Sequence, residues 1–383
     1  MKILLVKTGP GEIVVDRLTY NYQEIGIAKA FIRKGHQCDI LCCCESVEKT
    51  STIPAGDGKF ITLYCVKAVK ILKNCLLCHT DEIFQNYDIL QASEYDQWFT
   101  WHMSKKYADK MVVYHGPYYA ESNTRYNVVA FIFDLFLVGR YRRLNTMFLT
   151  KSVLATRYLK GKHLTNVHTV GVGIDSGMLT YNKDKASDFI NKVKNLPGRK
   201  LLYIGQLTRR RNALFLLDIL QACLKNGEDV ALIVVGKGNK KYEEKFFARL
   251  AAMGLEGKIV YKESIEQGYM SQLYAVIDVF LLPTLYDIFG MVLLEAMYFG
   301  KPVITTVNGG SSMLIENGVN GVVVEEFDAG KWYEKIHALL HQPEAARLMG
   351  ELAHKKIVEA CTWDVLTEKL LLQYKEKLRL KEA

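Results

Sequence analysis

Short apolar runs alternate with longer stretches in which apolar positions recur at helical spacing, and this alternation sets the expected order of elements. Lys2 to Lys7 reads as a strand, Tyr22 to Lys34 as a helix ended by Gly35-His36, and Gln37 to Cys43 as a second strand. Further strands are expected at Phe60 to Val69, Ile89 to Ala92 and Met111 to Tyr114. A long helical region from Tyr126 to Arg143 follows, then strands at Met147 to Thr150 and Val167 to Val170. Strands alternating with helices predict a parallel sheet covered on both faces.

Between Gly177 and Gly198 the chain turns polar and ends in Asn195-Leu196-Pro197-Gly198, the punctuation of a domain boundary. A second sheet is expected from Lys200 to Ile204, Ala231 to Val235, Ile259 to Lys262, Val279 to Leu282, Val303 to Thr306 and Val322 to Val324. Helices fall near Asn212 to Lys225, Tyr242 to Met253 and Tyr269 to Val276. The fold class is therefore α/β, with two doubly wound Rossmann-like domains in tandem. Ligands of such sheets bind beyond the carboxyl ends of the strands, so a cleft between two facing domains is the expected site.

One segment stands out chemically. After the apolar run Val279 to Pro283, the chain turns and enters a helix in which every side chain from Met291 to Phe299 is apolar or aromatic except Glu295. A helix apolar all round is normally enclosed, and an enclosed carboxylate needs partners. Glu295 lies about one turn from a helix N-terminus, whose N–H groups attract anions. An anion followed by hydroxyls describes a nucleotide diphosphate with its ribose; a Lys, an Arg or a backbone N–H inside the fold would satisfy the carboxylate equally well.

Composition narrows the field. The chain has 383 residues, 49% of them apolar, enough for two full cores. Met1 to Val6 enters a strand without the pattern of an export signal, so a cytoplasmic protein is expected. The run Val128 to Val138, interrupted by Asp134, is too short to span a bilayer. Lys and Arg exceed Asp and Glu by nine (50 against 41), which favours anionic partners such as nucleotides or phospholipid head groups. Nucleic acid is not expected, because the basic residues form no stripe and no binding motif occurs. The nine cysteines are expected to be reduced and mostly buried; Cys75-Leu76-Leu77-Cys78-His79 has haem-attachment spacing but lacks a supporting element, and is read as small apolar side chains on a helix or loop.

No GxxxxGK[ST], GxGxxG or HExxH pattern occurs, and no Asp-x-Asp pair could bridge a divalent ion to a diphosphate. Protein groups must then neutralise any diphosphate. Gly205-Gln206-Leu207-Thr208-Arg209-Arg210-Arg211 follows the first strand of the second domain and offers them, since guanidinium forks match phosphate oxygens; a solvated basic turn is the alternative. Lys237, Lys240 and Lys241 are expected to be solvated charge. His115, at a strand's carboxyl end before Gly116-Pro117, belongs to a rigid loop at the cleft mouth or to the core.

Together these residues resemble the GT-B glycosyltransferases, specifically the retaining family 4. Asp287-Ile288-Phe289-Gly290 through Glu295 is similar to its E-x-F-G-x4-E signature, with Asp in place of the first Glu. Tyr274 to Phe280, Ala296 to Ile304, Gly309-Gly310, Asn317 to Gly321, Gly205-Gln206-Leu207 with Arg211, Gly171 to Asp175 and Ile27 to Ala30 with Gly35-His36 continue the similarity over nearly the whole chain. The resemblance implies an N-terminal acceptor-side domain over 1–176, a linker over 177–198, a nucleotide-sugar-binding domain over 199–361, and a C-terminal helix over 362–383 crossing back to the first domain.

It also implies roles. Glu295 would meet the ribose hydroxyls and Asp287 the donor sugar. The segment Phe289, Gly290, Met291 and Val292 would hold the diphosphate through its N–H groups, assisted by Arg211 and by Gly205 and Gln206. Ser264 and Ile265 would meet the base, and His115 would lie beside the reacting sugar. No metal and no cofactor is expected; the co-substrate is a UDP- or GDP-sugar, and the acceptor a glycan or lipid-linked molecule of polysaccharide or glycoconjugate synthesis. Departures are Gln206 where the family has Arg, with Arg209 or Arg210 as substitutes, Leu18-Thr19 where it has a glycine pair, Met313 where it has Glu, and the shorter Asp287. A sugar-nucleotide epimerase of the same fold and a non-catalytic nucleotide-sugar-binding or membrane-adaptor subunit are the rival readings. The apolar residues from Phe131 to Val138, followed by Arg140, Arg142 and Arg143, read as a core helix or, alternatively, as a patch for an anionic membrane face.

Overall fold

The computed structural model describes residues 1–15, 22–44, 47–71, 74–179 and 187–382; Leu18-Thr19 and the polar stretch 180–186 lie outside them. The chain divides into two compact units, Met1–Asp175 with Cys361–Ala383, and Ser176–Ala360. The strands of the first unit are β1 Lys2–Val6, β2 Gln37–Cys43, β3 Lys49–Gly56, β4 Lys59–Val66, β5 Ala68–Ile71, β6 Asn74–Leu77, β7 Ile89–Ser93, β8 Met111–His115, β9 Met147–Thr150 and β10 Val167–Thr169. Those of the second are β11 Arg199–Ile204, β12 Val230–Val235, β13 Ile259–Lys262, β14 Val279–Leu282, β15 Val303–Thr305 and β16 Val322–Val323.

In the first unit the described strands form a sheet ordered β10-β9-β8-β7-β1-β2-β4-β3, parallel throughout except for β3, which runs antiparallel to β4. The central strands are apolar along their length because helices cover both faces. At the edge, β3 is rich in Thr and Ser, carries Pro54 and buries only alternate residues near its end, a composition suited to an edge strand and weak as a sequence signal. The expected strand from Phe60 to Val69 divides at Lys67, since the chain leaves β4 and starts the β5–β6 hairpin. Cys75 lies in this hairpin rather than on a helix or loop. Eight of the nine cysteines are buried, Cys78 being partly exposed.

The helix Trp363–Glu382 packs into the first unit, as the fold class predicts. A side chain at Gly26 would come within 2.3 Å of the Trp363 ring, and one at Gly173 within 2.7 Å, so the two glycines form its seat. Tyr374 stacks on Phe31 at 5.6 Å and donates to Gln91, while Arg33 grips Asp364 through two bonds of 2.8 and 3.0 Å.

The helical region expected as a core element is a correction. It consists of helices Thr124–Phe136 and Val138–Arg143, and in the first of them only Ala130 and Phe133 are buried. Val128, Val129, Phe131, Ile132 and Leu135 are exposed, and Phe136 is 79% exposed. From Val128 to Val138 the composition is apolar except for Asp134, but the packing is one-sided.

The second sheet is ordered β13-β12-β11-β14-β15-β16 and is wholly parallel. Chain order reverses between β11 and β14, so the loops leaving these neighbours diverge and open a crevice at the carboxyl end of the sheet.

Candidate functional site

The crevice beside β11 and β14 is built by two loops tied to each other. The turn after β11 runs from Gly205 to Leu214 before the helix Phe215–Lys225 begins, three residues later than the sequence pattern predicts. Thr284 Oγ1 and the Leu285 N–H both bond to the carbonyl of Arg210, at 3.1 and 3.0 Å. These bonds bring Arg211 against Asp287, and the two form a salt bridge whose side chains are only 16% and 8% exposed. Arg210 Nη1 donates to the Tyr286 carbonyl at 3.2 Å and lies 3.8 Å from the other Asp287 oxygen. Arg209 and Gln206 are exposed.

The loop ends at Gly290, which precedes the helix Met291–Tyr298 with φ +80°, a conformation that a side chain would strain. No side chain caps this helix among the described residues. Met291 and Val292 form its first turn, where backbone N–H groups have no intrahelical partners. Gly309-Gly310 backs the loop so closely that a side chain at Gly309 would come within 1.7 Å of the Ile288 carbonyl. The Phe289 side chain is itself buried.

Glu295, 1% exposed, accepts a hydrogen bond from the Tyr274 hydroxyl at 3.1 Å. One partner is thus a phenol from the helix Met270–Ala275. Ser264 and Ile265 occupy the loop after β13 at the same end of the sheet. Lys237, expected as solvated charge, makes an exposed pair with Glu263 at 2.9 Å.

In the first unit His115 ends β8 and is fully buried, its Nδ1 2.9 Å from Glu94 Oε2. Lys151 donates to the other Glu94 oxygen at 3.0 Å, and the Gly116 N–H to Oε2 at 2.9 Å. Burial raises the Glu94 pKa, but Lys151 and His115 outweigh it and hold the carboxyl at about 2. Among the described residues, His115 Nε2, Asp96 Oδ1 and the Tyr126 hydroxyl are buried without hydrogen-bond partners. Burial pushes Asp96 up to about 6, opposed by His115 and reinforced by Glu94. Glu94, Asp96 and Lys151 escaped the sequence reading, since each is a lone charge past a strand and only the parallel register of β7, β8 and β9 gathers them.

Asp96 gives a testable pH dependence. Its folded pKa of about 6 exceeds its unfolded value, so the folded chain binds the extra proton between about pH 4 and 6. Stability is greatest below that window and falls as pH rises through it. Asp96→Asn should therefore unfold at nearly the same denaturant concentration as wild type near pH 4 and be more stable by about 3 kcal/mol above pH 6.5. Parallel denaturation curves for the two proteins across the window would refute the assignment.

Two Rossmann-like α/β units with a C-terminal helix returned to the first are the GT-B fold of glycosyltransferases. Residues 184–356 match the family described as glycosyl transferases group 1. Among curated proteins, D-inositol 3-phosphate glycosyltransferase of Segniliparus rotundus is 24% identical over 239 residues, which is 59% of this chain and 52% of that protein. Mannosylfructose-phosphate synthase of Agrobacterium fabrum is 25% identical over 56% of this chain and 48% of its own length. The chain thus spans about half the length of the curated relatives it matches. Sucrose-phosphate synthase from Thermosynechococcus elongatus superposes with a TM-score of 0.72 at 17% identity, covering 98% of this chain and 99% of that one. An Anabaena protein solved with UDP and glucose superposes with a TM-score of 0.69 at 17% identity, with 98% and 99% coverage.

Proposed function

We propose that this protein is a retaining glycosyltransferase of family 4 that moves a sugar from a nucleotide diphosphate sugar to a glycan or lipid-linked acceptor, without a metal ion. The observation that carries the reading is the Arg211–Asp287 pair held at the start of a glycine-led helix, with buried Glu295 one turn inside it. The leaving diphosphate develops negative charge, and Arg211 with the N–H groups of the first helical turn would stabilise it. Glu295 would accept from ribose hydroxyls, Asp287 would orient the donor sugar, and Ser264 and Ile265 would border the base. His115, whose ring Glu94 fixes, would offer its buried Nε2 to a sugar hydroxyl. Arg210, 3.8 Å from Asp287, would supply part of the charge absent at Gln206.

The test is incubation with radiolabelled UDP- and GDP-sugars and a panel of glycan and polyprenyl-phosphate acceptors in excess chelator. Label transferred to an acceptor by wild type and lost in Arg211→Ala supports the reading. Conversion of donor without acceptor would establish an epimerase instead, and tight binding without turnover a binding subunit.

The same reading includes peripheral contact with an anionic membrane face. No helix of the described residues is long and apolar enough to cross a membrane. Support comes from the exposed apolar side of the helix Thr124–Phe136, a groove of about 580 Å³ beside it lined by Trp98, Trp101, Ile132, Phe136 and Leu137, and exposed Arg142 and Arg143 just beyond. Wild type is expected to sediment with anionic liposomes at low salt, and a Phe131→Ser/Phe136→Ser variant to remain in the supernatant. Equal sedimentation of both would reject the surface.

A further inference from the structure

A second chemical site lies at the amino end of the second sheet, away from Arg211 and Asp287. His337 and His341 stand one turn apart on the helix Ala329–His341, a spacing that places both imidazoles on one face. Their ring centroids are 4.2 Å apart. Both point to one carboxylate: Glu228 Oε1 is 2.5 Å from His337 Nδ1 and 3.1 Å from His341 Nε2, and Oε2 is 3.2 Å from His341 Nε2. The three ligand atoms fall within 4.8 Å of one another.

The frame is rigid. Glu228 follows Gly227, whose φ of +84° closes the helix Phe215–Lys225, and its own N–H returns to the Cys223 carbonyl at 3.1 Å. The histidine helix is anchored by buried Trp332, Ile336, Leu339 and Leu340, with Trp332 packed edge-on against Phe215 at 5.9 Å. The Glu228 side chain is 9% exposed, whereas His337 and His341 are 48% and 57% exposed, so the carboxylate is fixed and the rings are reachable from solvent. Two imidazoles at i and i+4 with a carboxylate from another element form a nitrogen and oxygen donor set suited to Zn²⁺, Co²⁺ or Ni²⁺ and poorly suited to Mg²⁺.

We propose that Glu228, His337 and His341 form a transition-metal site that clips the helix Ala329–His341 to the turn before β12. In the bound form each imidazole presents the lone pair of the nitrogen now facing Glu228 and carries its proton on the other nitrogen. Zinc-to-nitrogen bonds of about 2.0–2.1 Å require small ring movements only. Water completes the coordination, because the protein supplies three ligands. The site is separate from the sugar-transfer reading, which calls for no metal.

The experiment titrates Co²⁺ into the reduced full chain and follows visible absorption, then displaces it with Zn²⁺. One equivalent is expected to bind with the spectrum of a nitrogen and oxygen site, free of the thiolate charge-transfer bands that the cysteines would give. His337→Ala/His341→Ala should bind at least about tenfold more weakly. Zn²⁺ should raise the unfolding temperature of wild type and leave that of the variant unchanged; the single change His341→Gln provides the same comparison if the double variant folds poorly. Absence of saturable binding, thiolate bands in the spectrum, or equal affinity in wild type and variant would overturn the proposal.

Discussion

Arg211→Ala is expected to lower kcat for sugar transfer by about 10²–10³-fold, the cost of removing one group that stabilises developing charge in a dry site. The substitution also leaves Asp287, 5% exposed, without its close guanidinium, although Arg210 stands 3.8 Å away. A stability loss of about 1–3 kcal/mol should therefore accompany the kinetic one. Arg211→Lys separates the two effects: it restores charge near Asp287 but lacks the planar fork, so it should recover most of the stability and only part of the rate. Initial rates at saturating donor, paired with chemical denaturation, measure both. A kcat within twofold of wild type in the alanine variant would remove Arg211 from the reaction.

Glu295→Gln should act on binding instead. The substitution preserves shape and removes the charge that strengthens a hydrogen bond from a hydroxyl, so nucleotide affinity should fall about 10–100-fold. If the ribose contact is equal in ground and transition states, kcat at saturating donor should change little while KM rises. Tyr274→Phe is the companion change, because Tyr274 donates a hydrogen bond to Glu295 and bears no charge. It should weaken binding by less. Unchanged nucleotide affinity in Glu295→Gln would assign the carboxylate to bonds inside the fold, such as the one from Tyr274.

Much of the second unit was legible in the sequence because its strands are mostly short apolar runs set off by Gly, Pro, Asp or Lys, and β13 and β14 fall on the expected residues. The loop from Pro283 to Gly290 could be located for the same reason, since an apolar strand and an apolar helix bracket it. What joins the loop to the arginine turn could not, because Thr284, Leu285 and the Arg210 carbonyl meet through backbone geometry that side-chain patterning does not encode.

The first unit was harder to read. The edge strand β3 is polar where strands are usually apolar, and the exposed face of the helix Thr124–Phe136 has the composition of a core element. Hydrophobicity reports what a segment is made of, and burial depends on what packs against it. The groups around His115 are scattered over three loops, and His337 and His341 gain chemical meaning only when Glu228 is brought between them.

Calorimetric titration of UDP and GDP into wild type and Arg211→Ala, with chelator present throughout, measures donor recognition by the Arg211–Asp287 loop. Saturable one-to-one binding of one nucleotide to wild type is expected, in the range of about 1 μM–1 mM usual for substrates, with at least about tenfold weaker binding to the variant. No binding of either nucleotide to wild type, or equal affinity in the two proteins, would contradict it.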